Sequence, residues 1–349
     1  MADRAVTESA SAGAYRAAGV DLDHKAAVSA MIGAAVSGKV DSRLLAGIGA
    51  FSGLLQLPPL REPVIGATVD SVGTKLKIAS ALNRHEATAR DIVNHCVNDV
   101  LCSGLEPVAF LDYIGIHRLD DAVIAAIIEG ARDACEAAGC VLLGGETAEM
   151  PDVYAPGDYD LAGCVIGAGE RSHVIDGSKI RPGDAVIGLA STGLHTNGYT
   201  LARRLIAEAE YGVWSEALGT TYGEALLAEH RSYLAPVRAL KATVEVLGLA
   251  HITGGGLFDN LPRCLPAGLG VRLQAGAWPV PGILQVLRSR GGLGDAELAR
   301  TFNAGIGMGV VVHPTDFAEA LRLVPDAYEI GEVVASDVGP RVTLEGRLP

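Results

Sequence analysis

Four acidic side chains follow apolar runs. Asp70 closes the β-branched run Val64 to Val69, Asp112 follows Val108 to Leu111, and Glu146 and Glu149 lie in GGETAEM after Cys140 to Leu143. A fifth, Asp99, lies on a helical pattern only about 20° from Ile92, at the border of that helix's apolar stripe. If the three runs are strands of one sheet pointing the same way, their ends converge on one acidic rim. Such a rim suits Mg²⁺, which takes hard oxygen ligands and bridges them to substrate phosphates. Lys75, three residues past Val72 in the Val72-Gly73-Thr74-Lys75 turn, would neutralise further phosphate charge. The plainer alternative makes each acid a helix cap or a solvated turn residue, since acids favour both places. For any acid alone that alternative is the stronger; for the set, the metal rim is favoured.

A second cluster surrounds His195, in a loop with Ser191, Thr192, Thr196 and Asn197 after an apolar run. A histidine among hydroxyls and amides is a candidate general acid or base, balanced against a purely structural role. Gly254-Gly255-Gly256 precedes a helical pattern, where free N–H groups can bind an anion; a glycine turn serving only geometry explains it equally well. No G-x-x-x-x-G-K-[ST] occurs, and Gly47, Gly49 and Gly53 miss the G-x-G-x-x-G spacing with no strand before them. Any nucleotide must be held another way.

The elements that must position these residues alternate in the first half. Helices are expected over 88–104, on Ile92, Val93, Cys96, Val97, Val100 and Leu101, and over 120–138, between Asp120-Asp121 and Gly139. Strands are expected at 64–69, 108–111, 140–143 and 161–166, with GGETAEM as a loop. In the second half, strands are expected near 185–189, 269–273, 305–312, 328–334 and 341–344. Helices are expected near 199–209, 223–234, 236–246, 281–290, 295–301 and 315–323. The polar, Gly- and Pro-broken stretch ERSHVIDGSKIRPGD divides the chain, giving domains 1–170 and 171–349 of an α+β protein.

Composition bounds the function. Hydrophobic residues at 49% against 20% charged residues describe a globular chain. A net charge of −13 argues against nucleic acid, whose phosphates demand clustered Lys and Arg. The six cysteines form no C-x-x-C pair, the N-terminus lacks a leader's apolar core, and no run is long enough to span a membrane. A cytoplasmic protein is expected.

Seven segments go further: YRAAGVD (15–21), VDSVGTKL (69–76), CVNDV (96–100), GGETAEMP (144–151), LHTNGY (194–199), HITGGG (251–256) and TFNAGIGM (301–308). In this order, over nearly the whole chain, they closely resemble aminoimidazole ribonucleotide synthetase. The resemblance implies a homodimer whose N-terminal domains join strands in a shared β-barrel, each completed by an α+β C-terminal domain of the same superfamily. It implies ATP and Mg²⁺, and ring closure of formylglycinamidine ribonucleotide to aminoimidazole ribonucleotide with release of ADP and phosphate. It assigns Asp70, Gly73, Thr74, Lys75, Asn98, Gly144, Gly145, Gly254 and Gly255 to ATP and phosphate, and Asp70, Asp99 and Glu146 to metal. His195, Asn197 and Thr253 fall to substrate, with His195, Lys75 and Asp99 catalytic. A related ATP-dependent kinase or dikinase on the same scaffold is the alternative. The chain departs from the family at Ser71, where glycine is usual, at 23–30 and at Asn94-His95.

Overall fold

The computed structural model describes residues 21–36 and 41–349. Of YRAAGVD only Asp21 falls among them; its other residues lie outside the described residues.

The first half contains β1 (Leu44–Ala46), β2 (Leu54–Leu55), β3 (Pro63–Ser71), β4 (Glu106–Ile116), β5 (Val141–Glu149) and β6 (Tyr159–Glu170). The last four form a sheet of order β3-β6-β4-β5. β6 is antiparallel to β3 and β4, and β4 is parallel to β5, so β3, β4 and β5 do run the same way. Three helices, Leu22–Val36, His85–Leu101 and Asp121–Ala138, lie on the first half. The first, and the short helix Leu76–Leu82, were not anticipated. The third has the expected ends: Asp120 accepts from the N–H groups of Ala122 and Val123, and Gly139 closes it at φ 70°.

Two of the strands run past their expected ends in a way that moves the acids. β4 continues to Ile116, so Asp112 sits mid-strand. β5 absorbs GGETAE, so Glu146 and Glu149 are strand residues rather than loop residues. Glycines inside this strand serve a close approach: a Cβ at Gly145 would stand 1.7 Å from Asp112 Oδ1. The arm that carries β1 and β2 packs Leu44, Leu55, Leu57 and Leu60 against Val108, Val141, Leu143 and Ala168. β1 precedes Gly47, where no strand was expected.

The second half contains β7 (Ala185–Ala190), β8 (Trp214–Ser215), β9 (Thr220–Thr221), β10 (Val246–His251), β11 (Leu269–Ala275), β12 (Ile306–Val312), β13 (Ala327–Ala335) and β14 (Val342–Gly346). Six of these form a sheet of order β10-β12-β7-β13-β11-β14. β10 corrects the sequence expectation, which ran a helix to 246 and then a loop. The helix Leu234–Thr243 ends earlier, and the short apolar run VLGLAH pairs with β12; periodicity cannot tell so short a run from buried helix. The helix expected at 223–234 is only Tyr222–Leu226. One apolar core joins the halves: Ile92, Val97 and Phe110 share it with Leu234, Val237, Leu249 and Met308. Among the described residues no helix is long and apolar enough to cross a membrane.

The helices His85–Leu101 and Asp121–Ala138 meet at Gly130, where a Cβ would stand 2.3 Å from the Glu86 carbonyl oxygen. Backbone cannot yield there as a side chain would. Gly130→Ala is expected to cost about 1–3 kcal/mol, read as a lower urea midpoint at unchanged m. A wild-type midpoint would show that the two helices separate freely.

Candidate active site

The helix His85–Leu101 is buried on both faces. Its apolar stripe meets the sheet; its polar stripe, Asp91, Asn94, His95 and Asn98, recurs at helical spacing and meets the second half. Every member is bonded across the junction. Asp91 accepts from the N–H of His230 (2.7 Å) and pairs with Lys75 at 2.6 Å, both side chains fully buried. Asn94 donates to the His230 carbonyl (2.8 Å). Asn98 donates to the Arg231 carbonyl (2.8 Å) and accepts from the N–H of Tyr233 (2.8 Å). His95 Nδ1 meets Thr196 Oγ1 at 2.8 Å.

This seam corrects two assignments. Lys75 also donates to the carbonyls of His195 (3.0 Å) and Ala228 (2.8 Å), so its three donors are spent and its ammonium is closed to phosphate. Burial pushes the Asp91 carboxyl up, and the adjacent Lys75 charge opposes it. Asn98, expected at phosphate, is likewise fully engaged and buried. Nearby, Gly73 opens a 3₁₀ turn at φ 67°, and exposed Thr74 meets Thr200 Oγ1 at 3.4 Å. Ser71 ends β3 without a left-handed φ, so its side chain adds no backbone strain.

At the edge of the seam lie Asp70 and Asp99. His95 Nε2 stands 3.2 Å from Asp70 Oδ2 and 3.9 Å from Asp99 Oδ2. His251 Nδ1 donates to Asp99 Oδ1 at 2.8 Å, and Thr68 adds a hydroxyl at 3.3 Å. Despite burial, which raises it, the His251 bond and the flanking histidines hold the Asp99 carboxyl down at about 2. Both carboxylates keep partial access to solvent, at 39% and 24% of the side chain. Two carboxyl groups so placed fit a hard divalent cation.

The other acids are elsewhere, so the single rim does not form. Asp70 and Asp112 occupy one row of the sheet, both opposite Gly163, with β6 between them. Two ladder steps separate them by roughly 10 Å. Asp112 instead floors a 310 Å³ cavity lined by Lys25, Ser29, Gly144, Gly145 and Glu146. Burial pushes its carboxyl up to about 7, and Oδ2 has no partner. Glu146 is exposed and pairs with Lys25 at 3.4 Å, away from Asp70 and Asp99. Glu149 accepts from the N–H of Leu119.

His195 is also not where a solvent-borne substrate would meet it. Its ring is fully buried against His230 and Tyr233, and burial with neighbouring cations lowers its pKa well below the ordinary value. Asn197 and Thr253 lie nearer the surface, and Asn197 Nδ2 lacks a partner. The triple glycine has the geometric role. Its helix, Gly256–Asn260, is five residues long, Gly255 takes φ 89°, and a Cβ at Gly256 would meet the Ala299 carbonyl oxygen at 2.0 Å. A Cβ at Gly254 would meet only Asn197 Oδ1, at 3.5 Å. Asp91, His95, His230, His251 and Lys25 were not among the expected site residues. The 91, 94, 95, 98 spacing could have revealed the seam; nothing local marks His230.

Two family models match. One, described as AIR synthase related protein, N-terminal domain, covers residues 57–168; the other, described as AIR synthase related protein, C-terminal domain, covers residues 181–342. The phosphoribosylformylglycinamidine cyclo-ligase of Burkholderia pseudomallei is 46% identical over 335 residues, 95% of each chain. That of Paraburkholderia phymatum is 45% identical over 342 residues, 97% of this chain and 96% of its own. Among solved structures, a thiamine-monophosphate kinase from Stenotrophomonas maltophilia superposes at TM-score 0.67 with 18% identity, covering 91% of this chain and 96% of its own. PurL of T. maritima complexed with AMPPCP superposes at 0.54 with 18% identity, covering 82% of this chain and 43% of its own. At such identity these structures establish the fold alone.

Two measurements probe these placements. Asp91→Asn leaves the Lys75 charge buried without its counter-ion and is expected to cost about 3–5 kcal/mol in urea unfolding; a loss below 1 kcal/mol would free Lys75 for another role. Asp112 titrates near 7 when folded and near 4 when unfolded. The folded state therefore binds more protons between those values, and stability falls as pH rises through them. In Asp112→Asn that slope should flatten between pH 5 and 8. Identical slopes in both proteins would mean the carboxyl is ionised in the fold.

Proposed function

The chain belongs to the phosphoribosylformylglycinamidine cyclo-ligase family of AIR synthase related proteins, and from that premise we propose how its residues carry the reaction. The reaction is the ATP-dependent closure of formylglycinamidine ribonucleotide to aminoimidazole ribonucleotide, a step of purine biosynthesis. An amide oxygen leaves poorly, so ATP first phosphorylates the formyl oxygen and ADP departs. The amidine nitrogen attacks the resulting iminophosphate carbon, phosphate leaves with that oxygen, and the nitrogen gives up its proton.

The observation that carries the local reading is the pair of carboxylates Asp70 and Asp99, set beside His95 and His251. Mg²⁺ bound there would offset the charge of the phosphoryl group. His251 fixes the Asp99 carboxylate from one side and Thr68 from another, so the pair is set before substrate arrives. Thr196, bonded to His95, places the next residue, Asn197, with its amide donor free for a substrate oxygen. Thr253 and Gly254 lie just past β10, after Ile252, and complete that side. Gly73 and Thr74 lie past the end of β3, beyond Asp70, and Gly144 and Gly145 line the Asp112 cavity with Lys25; both places are proposed for ATP. Domains 1–170 and 171–349 would each supply one side, in a cytoplasmic enzyme. The kinase alternative is not favoured, given 46% identity to a cyclo-ligase against 18% to a kinase.

A homodimer is part of the proposal. Strand β3 is an edge strand whose outer face exposes Ile65 (61%) and Val69 (69%), an apolar stripe that a second copy would cover.

Purified protein supplied with formylglycinamidine ribonucleotide, Mg²⁺ and ATP should form one ADP, one phosphate and one dehydrated, cyclised product per turnover, followed by mass spectrometry. Phosphate retained on the substrate would replace this reading with a kinase. Light scattering should give twice 35.9 kDa, falling to the monomer in Ile65→Glu/Val69→Lys; a monomeric wild type would reject the barrel.

A further inference from the structure

We propose that His195, His230 and His251 form a binding site for a divalent metal ion of the zinc class, distinct from the Asp70–Asp99 carboxylate pair. The three rings are buried, and each offers a nitrogen such that all lie within 4.8 Å of one another.

Hydrogen bonds fix two of the tautomers. The N–H of Tyr233 and the carbonyl of Arg231 orient the Asn98 amide, so its Nδ2 donates to His230 Nε2 at 3.2 Å and that nitrogen carries a lone pair. His251 Nδ1 donates to the ionised Asp99, so its lone pair is on Nε2. These two Nε2 atoms face each other at 3.0 Å, acceptor against acceptor. A cation between them removes the conflict. With the ion bound, Asn98 would yield the His230 lone pair and keep its bonds to Arg231 and Tyr233.

The third ring is an independent observation. His195 is fully buried, yet neither ring nitrogen has a hydrogen-bond partner. An unpaired buried polar group is costly, and an apolar side chain would fill the space without that cost. The backbone is bent to place it: His195 takes φ 63°, a left-handed conformation uncommon outside glycine. Opposite it, Gly307 leaves the room, since a Cβ there would stand 2.4 Å from His195 Cε1. The ring stacks on His230 at 4.2 Å between centroids, so it must tilt out of that stack to turn a nitrogen lone pair to the shared centre.

The donor set selects the ion. Three neutral imidazoles suit Zn²⁺, Co²⁺ or Ni²⁺ rather than Mg²⁺, and three ligands leave a fourth position for water. At metal–nitrogen distances of about 2.0–2.1 Å, tetrahedral ligands stand roughly 3.3 Å apart, close to the separation of the two facing nitrogens. The outer shell is in place: Asp99 holds His251, and Thr196 Oγ1 stands 3.3 Å from His230 Nδ1. The ligands come from the second half and one of their holders, Asp99, from the first.

The test uses no substrate, so its outcome is separate from that of the ring-closure assay. Metal-free protein titrated with Co²⁺ should bind one equivalent with the intense visible bands of four-coordinate cobalt, unaffected by hundredfold excess Mg²⁺. The thermal midpoint should rise by several degrees and return with a chelator. His230→Gln should lose the bands and weaken binding at least tenfold, while the exposed-site control His313→Ala keeps both. No cobalt uptake, a pale six-coordinate spectrum, or equal binding by His230→Gln would overturn the proposal. Should His230→Gln fail to fold, X-ray absorption of the wild-type cobalt protein decides: an imidazole-nitrogen shell supports the site, and an oxygen-dominated shell overturns it.

Discussion

The molecule depends on one desolvated polar face. The helix His85–Leu101 leaves only Glu86, Arg90 and Asp99 partly open to water: one stripe packs on the sheet and the other is sealed against the second half. Sealing it removes Asp91, Asn94, His95 and Asn98 from solvent, which is unfavourable unless each finds a partner. Each does, largely on the segment 229–233 and at Thr196. The relative position of the halves is thereby fixed by complementary donors and acceptors as well as by apolar contact. Asp99 is aimed, and its carboxyl held low, chiefly because β10 delivers His251 to it.

The fold was legible where local signals agreed. Asp120 and Gly139 bracket a helix whose ends follow from their side-chain chemistry alone. The helix 295–301 and the strands near 306–312 and 327–335 stand within a residue or so of their patterns. Extended runs of glycine and acid were not legible. GGETAE reads as a loop because glycine and polar residues favour turns, and becomes strand because β4 supplies a parallel ladder along its whole length. Likewise VLGLAH gains its strand identity from β12, a partner distant in sequence.

The site was legible as a set of residues but not as a constellation. The parallel direction of β3, β4 and β5 is as the acidic-rim argument required. Convergence failed because strand order places β6 between Asp70 and Asp112, although register sets both opposite Gly163. Lys75 illustrates a second limit. Its sequence context suggests a phosphate, and only the tertiary fold reveals a buried carboxylate and two carbonyls around it. The departure at Asn94-His95 falls on the seam itself, where both side chains bond to the second half.

The same ammonium has a consequence for biosynthesis. Its partner carbonyl at Ala228 lies 153 residues further along the chain. At about 5–20 residues per second, the ribosome needs roughly 8–30 s to make that stretch after Lys75 emerges. Until the end of that interval the first half, once made, carries a polar helix face with nothing to cover it, and its Lys75–Asp91 pair stays in water. The nascent N-terminal half is therefore held back from its final state by translation itself, and the interval is one in which a chaperone has an open surface to occupy.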